Sequence, residues 1–584
     1  MKISLNWIRE FVDIPAKYST KELAELLTLR TCEVEGFEDE QIKFSNMVVG
    51  EVVKLRPHPN ADKLRLADTD IGGKAVQIVC GGQNLAEGMV VAVALPGAVV
   101  NLHGAGEVME LKETKIRGEH SFGMICAGEE IGLPPSPPEG ITDLGAYFNH
   151  LGLKQAKPGT PLASALGLND VILEIDNKSI THRPDLWGHY GMAREFAAFL
   201  GKKLKTFAPK IPAAKIKDKA KIVAPKEIAS RFVSVIVIGI KIEDSPRWMQ
   251  NRLLAAGMRP VNNIVDITNY VMLELGQPMH AFDRKFVGTD TLAVRTAKTG
   301  EKIKTLDHKD RMLSTQDALV TNGKYALGIA GVMGGINSEI NIGTCEIILE
   351  AATWNHVALR KTSQRHGLRT DAAQRFEKSL DPELCMIATA RALELISQVC
   401  KGATAGSITD VYNKKPEKIT VTLDTEVVKR KIGAQVSEKE MAAHLKSLGF
   451  GVTGGKGKLK VAVPSFRATK DVNIEDDLIE EIARMYGYEK IVPTLPTLPT
   501  KVPMENRERA LKHKARQILS LSLGLNEVMH YSFYGTSEIK KCMLPEAPHV
   551  LIENPLTKDQ THMRISLLPN MLKSVAANLN NSKQ

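Results

Sequence analysis

Two groups of side chains in this chain have the types and spacing to do chemistry. The first is His280 with Asp283, which close the stretch from Asn262 to Asp283. A histidine near a carboxylate can orient water or move a proton, and it can equally fill a satisfied place in a core. The second is carboxylate-rich: Asp471, then Asp477, Glu480 and Glu481. Several hard oxygen donors together suit Mg²⁺, which keeps much of its water shell and needs few protein ligands. Acidic residues early in a helix also stabilise that helix through its dipole, with no metal involved. Residue types alone leave both alternatives open.

The elements around these residues follow from periodicity. Val265, Thr268, Val271, Met272 and Leu275 recur at helical spacing, and Gly276 followed by Pro278 stops the helix. His280 and Asp283 are therefore expected on a short loop after a rigid helix. Around the carboxylates, Ile474, Leu478, Ile482 and Met485 line one helix face, with Asp477, Glu480 and Glu481 on another and Asp471 just upstream. The glycine-rich Gly331-Val332-Met333-Gly334-Gly335 lacks the lysine and helix start of a phosphate cradle. Its use is close backbone approach, to a strand or to a ligand.

At 584 residues the chain exceeds one core, and three to five domains are expected. No apolar run reaches bilayer length, and the start lacks a signal peptide's apolar core. A net charge of +10 favours an anionic partner such as RNA. Seven scattered cysteines with no CxxC pair point to a reducing cytoplasm, away from zinc ribbons and disulfide frameworks.

Two short helices occupy the first 38 or so residues, with Ser19 and Glu22 as a capping box. Period-two runs from Met47, and at 66–71, 75–80 and 90–94, predict a small barrel of the OB type, with a Gly72-Gly73 hairpin turn. Lys54, Arg56, Lys63, Arg65, Lys74, Lys112, Lys115 and Arg117 decorate it, as an RNA-tracking barrel or a generic solvated surface would be. Pro134, Pro135, Pro137 and Pro138 read as a surface insertion, and 207–214 as a linker. A mixed segment spans about 220–405 and ends in a helix with Asp381 as N-cap and Pro382 at its first position. A smaller α+β unit fills about 416–490, and prolines at 493, 496, 499 and 503 stiffen the connector to a last, basic-helix domain.

No GxxxxGK[ST], GxGxxG after a strand, HExxH or GxSxG occurs, so ATP activation is not expected on this chain. What does occur is a set of segments in a definite order. Pro57-His58-Pro59-Asn60-Ala61-Asp62-Lys63-Leu64, Ile78-Val79-Cys80-Gly81 and Arg117-Gly118-Glu119-His120-Ser121-Phe122-Gly123-Met124 come first. Glu274 to Asp283 and Arg365-His366-Gly367-Leu368-Arg369-Thr370-Asp371-Ala372 follow, then Asp477 to Arg484 and Tyr486-Gly487-Tyr488. Together these resemble the bacterial-type phenylalanyl-tRNA synthetase β-subunit family over essentially the whole chain.

The resemblance implies a multidomain α+β protein. Its parts would be an N-terminal helical segment (1–39), an OB-fold tRNA-binding domain (40–163) and a continuation of the N-terminal core with a linker (164–212). A central mixed α/β B3/B4 editing domain (213–410), a B5 domain (415–491) and a partial catalytic-like class II synthetase domain (504–584) would follow. It implies an α partner in an (αβ)₂ tetramer, with ATP as substrate on α, tRNA(Phe) as ligand, no membrane and a cytoplasmic location. It further implies hydrolysis of tRNA(Phe) mischarged with tyrosine. His280 would orient the attacking water or the terminal ribose, and Glu350 would accept the tyrosine hydroxyl. Gly331 and Gly334 would line the pocket, with Thr370 and Ala372 completing its wall. Asp471, Asp477, Glu480 and Glu481 would hold a Mg²⁺ shared with α. A non-catalytic tRNA-binding scaffold is the alternative.

The sequence departs from the family pattern in three places. Ala468-Thr469-Lys470 lengthens the approach to Asp471, and Thr181-His182-Arg183-Pro184-Asp185 replaces a more frequent Pro-Asn-Arg-Ala-Asp form. The chain also stops at Gln584, short of the family's anticodon-binding domain, so a fragment or a loss of anticodon contacts is expected.

Overall fold

Lys2–Ser4 begins the chain as a strand, pairing with Val171–Ile175, which pairs in turn with Val34–Asp39. The Ser4 hydroxyl accepts from Trp7 N at the start of helix Leu5–Phe11, and Ser19 with Glu22 closes the expected capping box of helix Thr20–Arg30. The computed structural model describes residues 1–102, 107–133, 137, 140–150 and 153–581, in two units, Met1–Pro493 and Thr494–Gln584. Of the proline-rich insertion only Pro137 is among the described residues.

The period-two region forms a five-stranded antiparallel sheet in the order Met124–Ile125, Val90–Ala94, Met47–His58, Ala61–Asp70, Ala75–Cys80. Gly72 and Gly73 turn the last hairpin at φ of 93° and 86°, values that L side chains avoid. The motif residues here are structural ties. His58 Nε2 lies 3.1 Å from Ile116 O, Asn60 Nδ2 donates to Arg117 O at 3.1 Å, and Ser121 Oγ accepts from Val79 N at 3.0 Å. Two expected RNA-facing cations are engaged locally. Arg56 pairs with Asp68 at 2.7 Å, and Arg65 donates to Leu85 O at 2.9 Å.

The central region packs two sheets face to face. One runs Met279–Asp283, Glu346–Trp354, Ala229–Ile238, Thr404–Ala405, with Thr409–Tyr412 also on Ala229–Ile238. The other contains Lys221–Val223, Thr291–Thr296, Ala318–Thr321, Ala326–Ile329 and Met333–Gly334. Side chains alternate along the first sheet. Ala281, Leu349 and Val235 join the core with helices Asn263–Leu275 and Leu384–Val399, while Phe282, Ile348, Ala352, Phe232 and Ile236 join the core with the second sheet.

Two boundaries differ from expectation. His280 and Asp283 lie on a strand, Met279–Asp283, rather than on a loop. The helix expected to start at Pro382 starts at Leu384. Asp381 instead accepts from Glu383 N at 2.9 Å, capping the turn that leads in.

The α+β unit near 416–490 has strands Thr420–Asp424, Gly451–Gly455 and Lys458–Ala462 and the Ser437-capped helix Glu438–Ser447. It also has an additional helix, Thr425–Ile432, capped by Asp424. Helix Glu475–Tyr486 closes it, burying Leu478, Ile482 and Met485 as expected, while Ile474 is exposed. In the second unit the basic helix is Arg507–Gln517, continued by wider turns over Ile518–Ser522, and helix Leu568–Asn581 comes last. Among the described residues no helix is long and apolar enough to cross a membrane.

Candidate functional site: a neutral polar pair on a small apolar cavity

Local signals set the approach to His280. Asn262 Oδ1 accepts from Ile264 N at 3.1 Å and Val265 N at 3.0 Å, starting helix Asn263–Leu275. Gly276, at φ 81°, ends it by donating to Met272 O. Fully buried Gln277 then donates from Nε2 to Ala352 O at 2.9 Å and Pro278 O at 3.0 Å. That amide clamps the helix exit onto strand Glu346–Trp354 and makes the next five residues its antiparallel neighbour.

The pairing register puts His280 directly opposite Glu350. Directly opposed residues share a face, so the imidazole and the carboxyl point the same way, into the gap between the two sheets. Asp283 does not join them. Its carboxylate accepts from Lys285 N at 2.9 Å and from Thr344 Oγ1 at 2.5 Å, capping the short helix after the strand.

A cavity of about 80 Å³ opens there, lined by His280, Phe282, Gly331, Gly334, Glu350 and Ala372, among others. That is far below the several hundred Å³ typical of a nucleotide or drug-sized ligand; it suits a side chain. Both glycines are needed. A Cβ on Gly334 would meet His280 Cε1 at 2.8 Å, and one on Gly331 would meet Leu359 Cδ1 and Trp354 Cδ1 at 2.5 Å. Gly331 also holds φ at 68°. Gly331→Ala therefore meets left-handed strain and a clash together. The expected loss is about 2–3 kcal/mol of stability, read by urea unfolding. Thr370 does not line the cavity. Its hydroxyl donates to Val332 O at 2.8 Å and accepts from Ala373 N at 3.1 Å, pinning helix Asp371–Phe376 to the glycine turn and so placing Ala372.

The cavity carries no net charge near neutral pH. Glu350 is 6% exposed, and burial pushes its carboxyl up to about 8; its Oε2 has no hydrogen-bond partner. Burial also pulls the half-buried His280 down to about 4, leaving a neutral imidazole. A protonated carboxyl donates one hydrogen bond and accepts others, so it can grip a hydroxyl without a buried charge. An imidazole this weakly basic is a poorer proton acceptor than an ordinary histidine but still orients a water or a hydroxyl.

Of the second candidate group only Asp471 and Glu481 come together, across the guanidinium of Arg467, while Asp477 and Glu480 stand apart. Glu481 accepts from Arg484 Nε at 2.9 Å and from Arg467 Nη1 at 2.8 Å, and Asp471 pairs with Arg467. Asp477 accepts from Asn473 N at 2.7 Å and Ile474 N at 2.9 Å, capping helix Glu475–Tyr486, and Glu480 is exposed to solvent. Among the described residues no group of three or more His, Cys, Asp or Glu has a metal-holding arrangement. The expected Mg²⁺ set does not fit this chain, because two of its four carboxylates are already held by guanidinium groups in the interior.

Those two belong to a larger cluster that sequence reasoning missed. Arg183 pairs with Asp185 at 2.9 Å and Glu195 at 2.7 Å, Arg194 with Asp185 at 3.1 Å, and Arg484 with Glu195 at 2.6 Å. Four arginines thus face four carboxylates, from 183–195 on one side and 467–484 on the other. Burial alone would raise Glu195, but Arg484 and Arg183 overcome it and hold the carboxyl at about 2. The only hint in the sequence is Arg183-Pro184-Asp185 itself.

Four known families match successive regions of the chain. Residues 228–401 match the B3/4 domain family and 421–488 the tRNA synthetase B5 domain. Residues 491–584 match the phenylalanyl tRNA synthetase beta chain CLM domain, and 47–141 a tRNA binding domain family. The chain is 36% identical to the phenylalanine–tRNA ligase beta subunit of Clostridium acetobutylicum, over 100% of this chain and 72% of that protein. It is 37% identical to that of Anaeromyxobacter dehalogenans (99% and 70%) and 36% identical to that of Geobacillus kaustophilus (100% and 71%).

Proposed function

The chain belongs to the phenylalanine–tRNA ligase β-subunit family, and from that premise we propose that its His280–Glu350 cavity hydrolyses tyrosine misattached to tRNA(Phe). Amino-acid activation, with ATP as substrate, falls to a partner α subunit, with which this chain forms an (αβ)₂ tetramer in the cytoplasm. The barrel at 47–141 contributes to tRNA binding. The observation that carries the reading is the uncharged acid–imidazole pair set across two strands in an apolar space of side-chain size. In this reading the Glu350 carboxyl grips the phenolic hydroxyl. Phenylalanine in the same place would leave that buried polar group unpaired, and such sites reject the analogue lacking the hydroxyl. His280 orients the water that attacks the ester carbonyl. Gly334 keeps the space beside His280 open for the ring, Gly331 holds the turn close against Leu359 and Trp354, and Ala372, fixed by Thr370, bounds the cavity. Magnesium serves the ligation chemistry. The Asp471, Asp477, Glu480, Glu481 set does not suit it within this chain, so no step is assigned to it here.

The test is deacylation of Tyr-tRNA(Phe) and Phe-tRNA(Phe) by the wild-type αβ complex and by His280→Ala and Glu350→Ala. Selective hydrolysis of the tyrosyl ester, falling about 100-fold in each variant, is expected. Rates unchanged in both variants, or tRNA binding without any hydrolysis, would leave a tRNA-binding scaffold as the better account.

A further inference from the structure

The polar row on the central sheet has a third member. Ser234, on strand Ala229–Ile238, lies directly opposite Glu350 on the side away from His280. Shared register means a shared face, so His280, Glu350 and Ser234 form one line across three strands. Ser234 is 0% exposed, and its hydroxyl has no hydrogen-bond partner; neither has Glu350 Oε2. Orphaned buried polar atoms are rare in folded proteins. Two of them in directly opposed residues call for a common explanation.

The surroundings narrow it. The neighbours of Ser234 and Glu350 along the same face are Phe232, Ile236, Ile348 and Ala352, which offer no side-chain polar atom. On its other flank Ser234 faces Thr409, whose own proton is committed to Ala220 O at 2.5 Å. The carboxyl itself has two environments. Glu350 lines the cavity, yet its Oε2 is sealed from solvent. One oxygen is thus available to a ligand while the other is enclosed by protein. Directly opposed side chains in a sheet stand about 5 Å apart at Cβ, so one torsional adjustment or a single water closes the gap to a hydroxyl.

We propose that Ser234 is a positioning residue for Glu350: its hydroxyl pairs with the enclosed carboxyl oxygen and leaves the other oxygen as the acceptor for the phenolic hydroxyl of the substrate. This rests on the hydrolase reading above. With the proton of the neutral acid held on the enclosed oxygen and shared with Ser234, the cavity-facing oxygen can only accept. It then recognises a hydroxyl as a donor and does not compete with it for one. Without Ser234 the proton occupies either oxygen, and the cavity presents a donor as often as an acceptor. No charged group approaches Glu350, whose carboxyl is raised by burial alone, and His280 is the other titratable residue among those described along the cavity wall.

The experiment uses the αβ complex with Ser234→Ala, and with Ser230→Ala as control, since the Ser230 hydroxyl is already satisfied by Thr353 O at 3.2 Å. Two readouts are taken. One is the ratio of Tyr-tRNA(Phe) to Phe-tRNA(Phe) hydrolysis. The other is the titration midpoint of the protonated-carboxyl infrared band that disappears in Glu350→Gln. A serine hydroxyl bonds a carboxylate more strongly than a neutral acid, so its removal raises the midpoint, by about one pH unit. The hydrolysis ratio is expected to drop about tenfold, and Ser230→Ala to change neither. A purely structural serine would move neither readout, and if either stays at its wild-type value in Ser234→Ala the proposal is overturned. A wild-type complex that does not discriminate between the two esters overturns the hydrolase reading instead, and this proposal with it.

Discussion

Glu350→Gln is expected to make the protein more stable at alkaline pH while keeping its discrimination between the two esters. The carboxyl is held at about 8, against an ordinary value of 4.5, by burial alone. The sign follows from linkage. In the unfolded chain this group ionises near 4.5, whereas in the folded chain it keeps its proton to about 8, so stability falls as pH rises through that window. A tenfold change in an acid's ionisation constant corresponds to about 1.4 kcal/mol, which puts the penalty on the order of 5 kcal/mol once the folded group has ionised. Glutamine has nearly the same shape and cannot ionise. Near pH 5 the two proteins should differ little, and above about pH 8 the variant should lead by several kcal/mol in urea unfolding. Parallel pH dependences for the two proteins would mean that Glu350 is not desolvated. Discrimination should persist across the pH range, because the amide can set its NH₂ toward Ser234 and its oxygen toward the cavity, the same fixed donor and acceptor as the protonated acid. Such a group carries a stability penalty that packing elsewhere in the core offsets, and that is an expected signature of a site.

How legible these features are in the sequence depends on how far away their partners lie. Asn262, Gly276 and the periodic residues between them specify a helix with no outside help, because caps and apolar spacing act within a few residues. The Ser19–Glu22 capping box is readable for the same reason. His280 reads as a loop residue because Met279–Asp283 becomes a strand only through Glu346–Trp354, some seventy positions later, with Gln277 as the clamp. Five residues after a helix stop carry no signal of that pairing. The glycines at 331 and 334 read correctly as places of close approach, but what approaches them, Leu359 and Trp354 at one and His280 at the other, belongs to the fold. The carboxylates show the same limit from the other side. Helical spacing puts Asp477, Glu480 and Glu481 together on one face, yet only Glu480 is left fully to solvent. Glu481 sits where Arg467 and Arg484 arrive, and Arg484 in turn reaches Glu195, almost three hundred residues earlier. Pattern shows which residues share a helix face and is silent on what that face meets.

Arg484→Ala is expected to be among the most damaging single substitutions in the chain, and its effect should not depend on magnesium. The guanidinium bonds Glu481 through Nε at 2.9 Å, Glu195 through Nη1 at 2.6 Å and the carbonyl of Arg30 at 2.9 Å. Removing it takes one of two arginine partners from each of two buried carboxylates, Glu195 (0% exposed, left with Arg183) and Glu481 (4% exposed, left with Arg467). Breaking a buried pair by deleting one partner costs about 3–5 kcal/mol, since the surviving charge keeps its desolvation penalty and loses its compensation. The deficit should shrink as pH falls. In the wild type, Glu195 is held at about 2 by Arg484 and Arg183 against the effect of burial, so its stabilising contribution is complete above the ordinary carboxylate range and fades toward pH 2. The variant lacks part of that contribution and has less to lose in acid. Magnesium separates this account from a metal site at the same residues. A cation bound by the folded chain raises the unfolding midpoint in proportion to the logarithm of its concentration. With Asp471 and Glu481 already held by arginines, the isolated chain should unfold at the same urea concentration with millimolar Mg²⁺ or with EDTA. A midpoint that climbs with Mg²⁺ in the wild type and loses that dependence in Glu481→Gln would restore the metal assignment. The expected result instead makes these carboxylates the clasp that joins helix Glu475–Tyr486 to the 183–195 segment of the N-terminal core.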